Sequence, residues 1–383
     1  MSPRKAFFQL HWIVGITVGV ILGIVGATGA LLSFEQEIIA SLARDGRQVE
    51  ANGRTPLSPP ELLAQISSSD PQKHIAGLSV AREPTETVRV TFAAREQRYV
   101  DPYTGALLAP MSSGAETFFR NVRGLHRWLM LGELGDRDIG RQIVGASTLL
   151  LIFMALTGLY LRWPRGLAAR RWKTWLVPDF RLKGRAFLWN LHSVMGTWVL
   201  PVYLVIALTG LQWSYEWYRD GLYGIAGVER PTEREGPREG SREPRGATDI
   251  QAFARAWEMF ARETPHFTTV NVNLAGRPGK PIEFRYLDGQ SSHERAFNTL
   301  GIDSEGKVAS AERYGDKKFG ARIVSSIFPL HSGSYFGVVG VIVFLLASLA
   351  MPVFAVTGWI MYLQRRAPRT RRAELAAATE EAS

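Results

Sequence analysis

Four apolar runs, at about residues 12–32, 143–163, 186–215 and 335–363, constrain this 383-residue chain more than any other feature. Each is long enough to cross a hydrocarbon core as a helix, which takes about 20 residues. Backbone polar groups in lipid need internal partners, so such runs fold as helices. Basic residues flank them unevenly. Arg4 and Lys5 precede the first run. Arg162, Arg165, Arg170, Arg171, Lys173, Arg181, Lys183 and Arg185 separate the second from the third, against one acid, Asp179. Arg365, Arg366, Arg369, Arg371 and Arg372 follow the fourth. With four spans these clusters share one side, and the positive-inside rule makes that side cytoplasmic. The expectation is an N-in, C-in, multi-pass protein of a bacterial inner membrane. The first run exceeds the 7–15 apolar residues of a signal peptide, so it reads as a retained helix.

The layout that follows places a first transmembrane helix at 1–33 and an outer polar domain at 34–122. An interfacial helix and second span occupy 123–163, a basic cytoplasmic loop 164–185, and a third span 186–215. A second outer domain takes 216–325, a fourth span 326–363, and a cytoplasmic tail 364–383. Alternating stretches such as Val88–Phe92 and Arg98–Val100 read as strands, and Asp101–Gly105 as a tight turn. The Gly/Pro/Arg/Glu-rich stretch from Glu229 to Arg245 reads as mobile.

The halves repeat. Each is span, outer domain, span, and all four spans carry Thr-Gly: Thr28-Gly29, Thr157-Gly158, Thr209-Gly210 and Thr357-Gly358. The turn at Asp101 to Gly105 is echoed at Asp303 to Gly306. In spans one and three a histidine opens the helix, His11 and His192, with Gly15 and Gly196 four residues on and a Thr-Gly glycine eighteen residues on. Eighteen residues is five helical turns, so histidine and distant glycine share a face about 27 Å apart. A ligand near one surface and a gap near the other suit a bundle holding two cofactors at two depths.

Four of the seven histidines lie in or beside spans. Topology places His11 and His192 toward the cytoplasm, and His126 and His331 toward the outside. Two imidazoles per side, from different helices, are what two bis-histidine b-type haems require. The alternative is an interfacial histidine satisfied by headgroup, water or a carbonyl. The glycines serve helix packing or cofactor clearance equally well. A polar stretch after His126 puts that residue on a short amphipathic helix, Phe118 to Met130. Arg120, Arg123, Arg127 and Arg185 stand where haem propionates or lipid headgroups would need neutralising, headgroup anchoring being preferred for Arg185. Trp12, Trp128, Trp189 and Trp198 suit an aromatic belt at least as well as a cofactor wall. His74 and His266 read as surface residues of the outer domains, where His293 also falls.

The net charge of +10 sits beside the apolar runs, so it argues for a membrane surface and not for nucleic acid. With no cysteine, disulfides, thiolate metal sites, iron–sulfur clusters and covalently attached haem are excluded. No Walker loop, nucleophile elbow, HExxH or GxGxxG occurs, so no catalytic acid, base or nucleophile is singled out. Electrons would come from a separate cytoplasmic or membrane donor, a quinol or a diffusible carrier.

The four spans, the Leu125-His126-Arg127 and Leu330-His331 elements, the Thr-Gly pairs and the Asp-x-x-x-Gly turns resemble the PepSY-associated transmembrane-helix family. Within it the chain is similar to inner-membrane siderophore reductases of FoxB type. The resemblance implies a four-transmembrane-helix bundle with two periplasmic α+β PepSY-like domains. It also implies two haems b, held by His11 with His192 and by His126 with His331, passing electrons to a ferric siderophore. Some family members carry a fused flavin reductase region; none is recognisable here, which leaves the donor open. Competing expectations are a cytochrome b subunit serving another periplasmic partner, a non-enzymatic sensor or assembly factor, and a copper- or haem-handling protein.

Overall fold

The computed structural model describes residues 2–42, 49, 51, 53–69, 74–83, 85–92, 96–108, 114–163, 173–230, 249–274 and 279–381. Most of the 229–245 stretch, and Arg165, Arg170 and Arg171 of the basic loop, lie outside these residues. The chain divides into two compact units. One comprises Met1–Glu35, Phe118–Gly221 and Leu330–Ser383, the other Gln36–Thr117 and Leu222–Pro329.

Along the chain, α1 (Pro3–Leu32) is followed by α2 (Glu35–Leu42) and α3 (Pro59–Ser69). Strands β1 (Ile75–Ala81), β2 (Val88–Phe92) and β3 (Gln97–Val100) come next, then α4 (Gly114–Trp128) and α5 (Arg137–Arg162). A single turn, α6 (Lys173–Leu176), precedes α7 (Gly184–Ser214) and α8 (Glu216–Ala226). The second half continues with α9 (Ile250–Glu263), β4 (Phe267–Asn273), β5 (Ile282–Asp288), β6 (Asn298–Ile302) and β7 (Val308–Glu312). It ends with α10 (Phe319–Ser332) and α11 (Gly337–Glu381).

Among the described residues four helical segments are long and apolar enough to cross a membrane: α1, α5, α7 and Ser334–Arg366, most of which lies in α11. They pack through small residues, as helices surrounded by lipid must when burial of apolar surface gives no advantage. At Gly26 of α1 an added Cβ would lie 2.4 Å from Met351 Cβ and 2.8 Å from the Ser348 carbonyl oxygen of α11, so only glycine lets the two backbones approach. All four helices contribute to one buried cluster, Leu22, Leu151, Tyr203, Ala207 and Ala347. Within it the Tyr203 hydroxyl donates to the Ala347 carbonyl at 2.9 Å, so its polar end is satisfied.

Helix α4 is the amphipathic helix expected around His126, running Gly114–Trp128. It stops where Leu129 and Met130 take left-handed backbone, φ 53° and 60°, and the chain reverses through a 3-10 turn, Leu131–Leu134, into α5. Gly140 of α5 presses against the Trp128 carbonyl so closely that an added Cβ would lie 2.1 Å from its oxygen.

The second unit corrects one expectation. The two outer regions do not form two separate α+β domains; they build one seven-stranded antiparallel sheet, ordered β3-β2-β1-β4-β5-β6-β7. The join is β1 against β4, from Gly77 opposite Asn273 to Ala81 opposite Thr269. Each half would otherwise present an open edge of unpaired backbone groups, and mutual pairing removes both edges. Both halves run helix then strands, α3 before β1–β3 and α9 before β4–β7. A shared core of Leu62, Leu63 and Ile66 from α3, Phe253 and Phe260 from α9, and Val90 and Phe284 from the sheet is buried beneath the two helices. Phe260 stacks on Phe284 with ring centres 4.7 Å apart. The Asp-x-x-x-Gly and Asp-x-x-Gly turns also correspond. The Asp101 carboxylate accepts from the Tyr103 amide at 2.8 Å, that of Asp303 from the Glu305 amide at 2.9 Å, and both turns close on a glycine with positive φ.

Candidate functional site

Four histidines of the membrane unit sit in one repeated kind of seat. His11 of α1 has Nδ1 2.9 Å from Thr157 Oγ1 of α5, and His192 of α7 has Nδ1 2.9 Å from Thr357 Oγ1 of α11. His126 of α4 has Nδ1 3.2 Å from Thr28 Oγ1 of α1, and His331 of α10 has Nδ1 3.0 Å from Thr209 Oγ1 of α7. The tautomer is assigned from the hydroxyls. Each threonine donates its proton to the carbonyl four residues back, at 2.6 to 2.8 Å, as helical threonines in apolar surroundings do. With its proton used, the oxygen can only accept, so the histidine Nδ1 carries the hydrogen. For His126 and His331 the carbonyls of Val25, at 3.0 Å, and Ile206, at 3.1 Å, require the same, because a carbonyl never donates. Each Nε2 then has a bare lone pair. None of the four Nε2 atoms is hydrogen-bonded among the described residues.

At three of the four seats the glycine after the threonine makes room for the ring. A Cβ at Gly29 would lie 3.2 Å from His126 Cε1, at Gly210 3.2 Å from His331 Cε1, and at Gly158 3.3 Å from His11 Cε1. Gly358 has nothing within 4 Å and opens on a cavity. The distant glycine on the helix of His11 is thus beside His126, and that on the helix of His192 is beside His331. Sequence reading took the Thr-Gly pairs as gaps or packing surfaces and missed the threonine hydroxyl as the partner of the ring.

His11 and His192 line one cavity of about 650 Å³, together with Gly15, Gly196, Gly158 and Gly358. A Cβ added at Gly15 would lie 3.3 Å from Met154 Cε, and one at Gly196 would lie 4.0 Å from Phe354 Cε1. Phe354 in turn meets His192 edge-on at 4.9 Å. Arg4, Lys5, Arg185 and Arg365 also line the cavity. Arg185 therefore borders the space between the two histidines, where sequence reading preferred a headgroup anchor. His126 and His331 stand with ring centres 6.4 Å apart and planes inclined at 68°. Trp213 meets His331 edge-on at 5.1 Å.

Arg127 lies with its guanidinium 5.1 Å from the Trp128 ring centre, and Arg137 lies 4.0 Å from the same ring. Arg123 is ion-paired with Glu35. Trp12 borders the cavity and stacks on Tyr362, whereas the Trp198 indole donates to the Leu176 carbonyl at 3.1 Å. In the sheet unit His74 and His266 are exposed. His293 is buried, and its pKa is held below the ordinary histidine value by loss of solvent. Its Nδ1 accepts from the Arg295 amide at 3.1 Å, so Nε2 donates toward the Tyr314 hydroxyl at 3.0 Å and Ser326 Oγ at 3.1 Å. Nothing local in the sequence marked this buried network, whose members are far apart in the chain.

The halves divide the work in a regular way. His11 and His126 are seated by threonines of the first half, His192 and His331 by threonines of the second. The cavity pair and the close ring pair each take one histidine from each half. Residues 8–365 match the family described as the PepSY-associated TM region. The chain belongs to this family. The match takes in all four histidine seats of this PepSY-associated membrane protein and runs through the sheet unit. No curated protein is significantly similar to it in sequence.

Proposed function

We propose that this PepSY-associated membrane protein is a di-haem b electron conduit of a bacterial inner membrane. It lies N-in, C-in, arose by internal duplication, and reduces ferric siderophore iron on the periplasmic side. The observation that carries this reading is the arrangement of four imidazoles, two from each half, each held through Nδ1 so that Nε2 is free to bind metal.

The residues fit the group. With a metal–nitrogen bond of about 2 Å and a ring centre about 1.2 Å behind the nitrogen, two imidazoles flanking one ion have centres about 6.4 Å apart. The rings of His126 and His331 are separated by 6.4 Å. The cavity between His11 and His192, about 650 Å³, falls within the range of roughly 300–1,000 Å³ usual for ligand and cofactor pockets. Among the described residues no group of three or more His, Asp or Glu side chains is placed to hold a bare ion. Two nitrogens per site would suit a metal carried within a chelating cofactor. Arg4, Arg185 and Arg365 offer guanidinium groups to propionate carboxylates, for which bidentate pairing is favoured. Bound haem supplies a one-electron ferric/ferrous couple. The protein's part is to aim the nitrogens, to exclude water with an apolar bundle, and to keep the glycine faces clear.

A negative potential inside favours outward electron movement by about 2.3 kcal/mol per charge per 100 mV. Ferric iron in a siderophore is held by hard oxygen donors, and gaining one electron gives softer ferrous iron that they hold less well. The electron donor is a separate cytoplasmic or membrane component. To test the reading, dithionite-reduced protein, freed of excess reductant, is mixed anaerobically with a ferric hydroxamate chelate and a ferrous-specific dye. Oxidation of the haem bands with matching dye colour is the expected result. Haem bands that stay reduced would count against the siderophore assignment and favour an electron-transfer subunit for another periplasmic partner.

A further inference from the structure

The two pairs of seats are alike in their threonines and unlike in what else the ring nitrogen reaches. The Nδ1 hydrogens of His126 and His331 face two acceptors each, a threonine oxygen and the carbonyl three residues before that threonine, Val25 at 3.0 Å and Ile206 at 3.1 Å. Those of His11 and His192 face a threonine oxygen alone, at 2.9 Å in both cases, among the described residues. The corresponding carbonyls, of Met154 and Phe354, are approached by the threonine hydroxyls at 3.3 and 3.2 Å and not by the rings.

We infer that Thr157 and Thr357 are positioning residues that set the redox potential of the metal at His11 and His192, whereas Thr28 and Thr209 have little hold over the metal at His126 and His331. The inference rests on the di-haem reading. An Nδ1–H donating a hydrogen bond makes the far nitrogen a stronger donor, and outer-shell partners of this kind tune the bound metal. A stronger donor favours the ferric state and lowers the potential. Valine matches threonine in shape but accepts no hydrogen bond. At His11 or His192 it would leave the Nδ1 hydrogen with no acceptor, weakening the ligand and letting the ring turn. At His126 or His331 the carbonyl remains, because no side-chain change can remove it.

The test is a potentiometric titration of purified holoprotein in detergent, followed by haem absorbance. It compares the wild type with Thr157→Val, Thr357→Val, Thr28→Val and Thr209→Val, with Thr157→Ser as the conservative variant. The expected result is that Thr157→Val and Thr357→Val raise the same one of two components. Thr157→Ser restores it, and Thr28→Val and Thr209→Val move the other component far less. Haem loss confined to Thr157→Val and Thr357→Val, and absent from Thr157→Ser, is the same result in stronger form. Equal shifts or equal haem loss in all four valine variants, or haem retained with no shift in any, would overturn the inference and leave the di-haem reading standing. A wild type without two titrating haems would overturn that reading instead.

Discussion

On the proposed di-haem reading, His11→Ala and His192→Ala are each expected to remove the same one of two haems, and His126→Ala and His331→Ala each to remove the other. The pairing follows from one cavity lined by both His11 and His192, and from the 6.4 Å between the ring centres of His126 and His331. Alanine would take away the nitrogen that would hold the metal, and the threonine that orients the ring on another helix offers no nitrogen in its place. The measurement is haem content per chain by extraction, with the reduced-minus-oxidised spectrum reporting which component survives. Each variant is expected to fall to about half the wild-type content. If His11→Ala removes one component and His192→Ala the other, the pairing across the two halves is wrong.

Phe260→Ala destabilises the sheet unit by about 3–5 kcal/mol, the usual range for a large aromatic side chain deleted from a packed core. Phe260 is fully buried, stacks on Phe284, and meets Phe267 and Tyr286 as well. Domains of ordinary stability have roughly 5–15 kcal/mol in hand, so this loss is a large share of the total. Protease resistance of the sheet unit reports it: the variant is cleaved under conditions that leave the wild type whole. Cleavage at the wild-type rate would mean that the two halves of the sheet do not depend on this shared core.

The spans were legible because lipid imposes a local rule, about twenty apolar residues with no charge, that needs no knowledge of neighbours. Strands Val88–Phe92 and Gln97–Val100 were legible for a similar reason, since alternation records which face is buried. Alternation does not record which strand lies alongside. The pairing of β1 with β4 joins residues far apart in the chain, and that is why two domains were expected where one sheet exists. The histidine seats were half legible. His11, His126, His192 and His331 stood out as ionisable groups beside apolar runs, and the Thr-Gly repeats stood out as repeats. What linked them was hidden, because a helical threonine looks satisfied by its own backbone carbonyl. The second lone pair on its oxygen is what a neighbouring helix uses, as at Thr157 for His11. His293 was unmarked because its partners, Tyr314 and Ser326, converge on it only in the folded chain.

The account stands on metal being gripped between imidazoles from opposite halves at two levels of the bundle. Quantitative haem analysis of the intact chain, produced with ample porphyrin and purified in detergent, tests this most directly. The account predicts a reducible b-type spectrum with about two haems per chain. A colourless protein, or one haem that survives replacement of all four histidines, would contradict it.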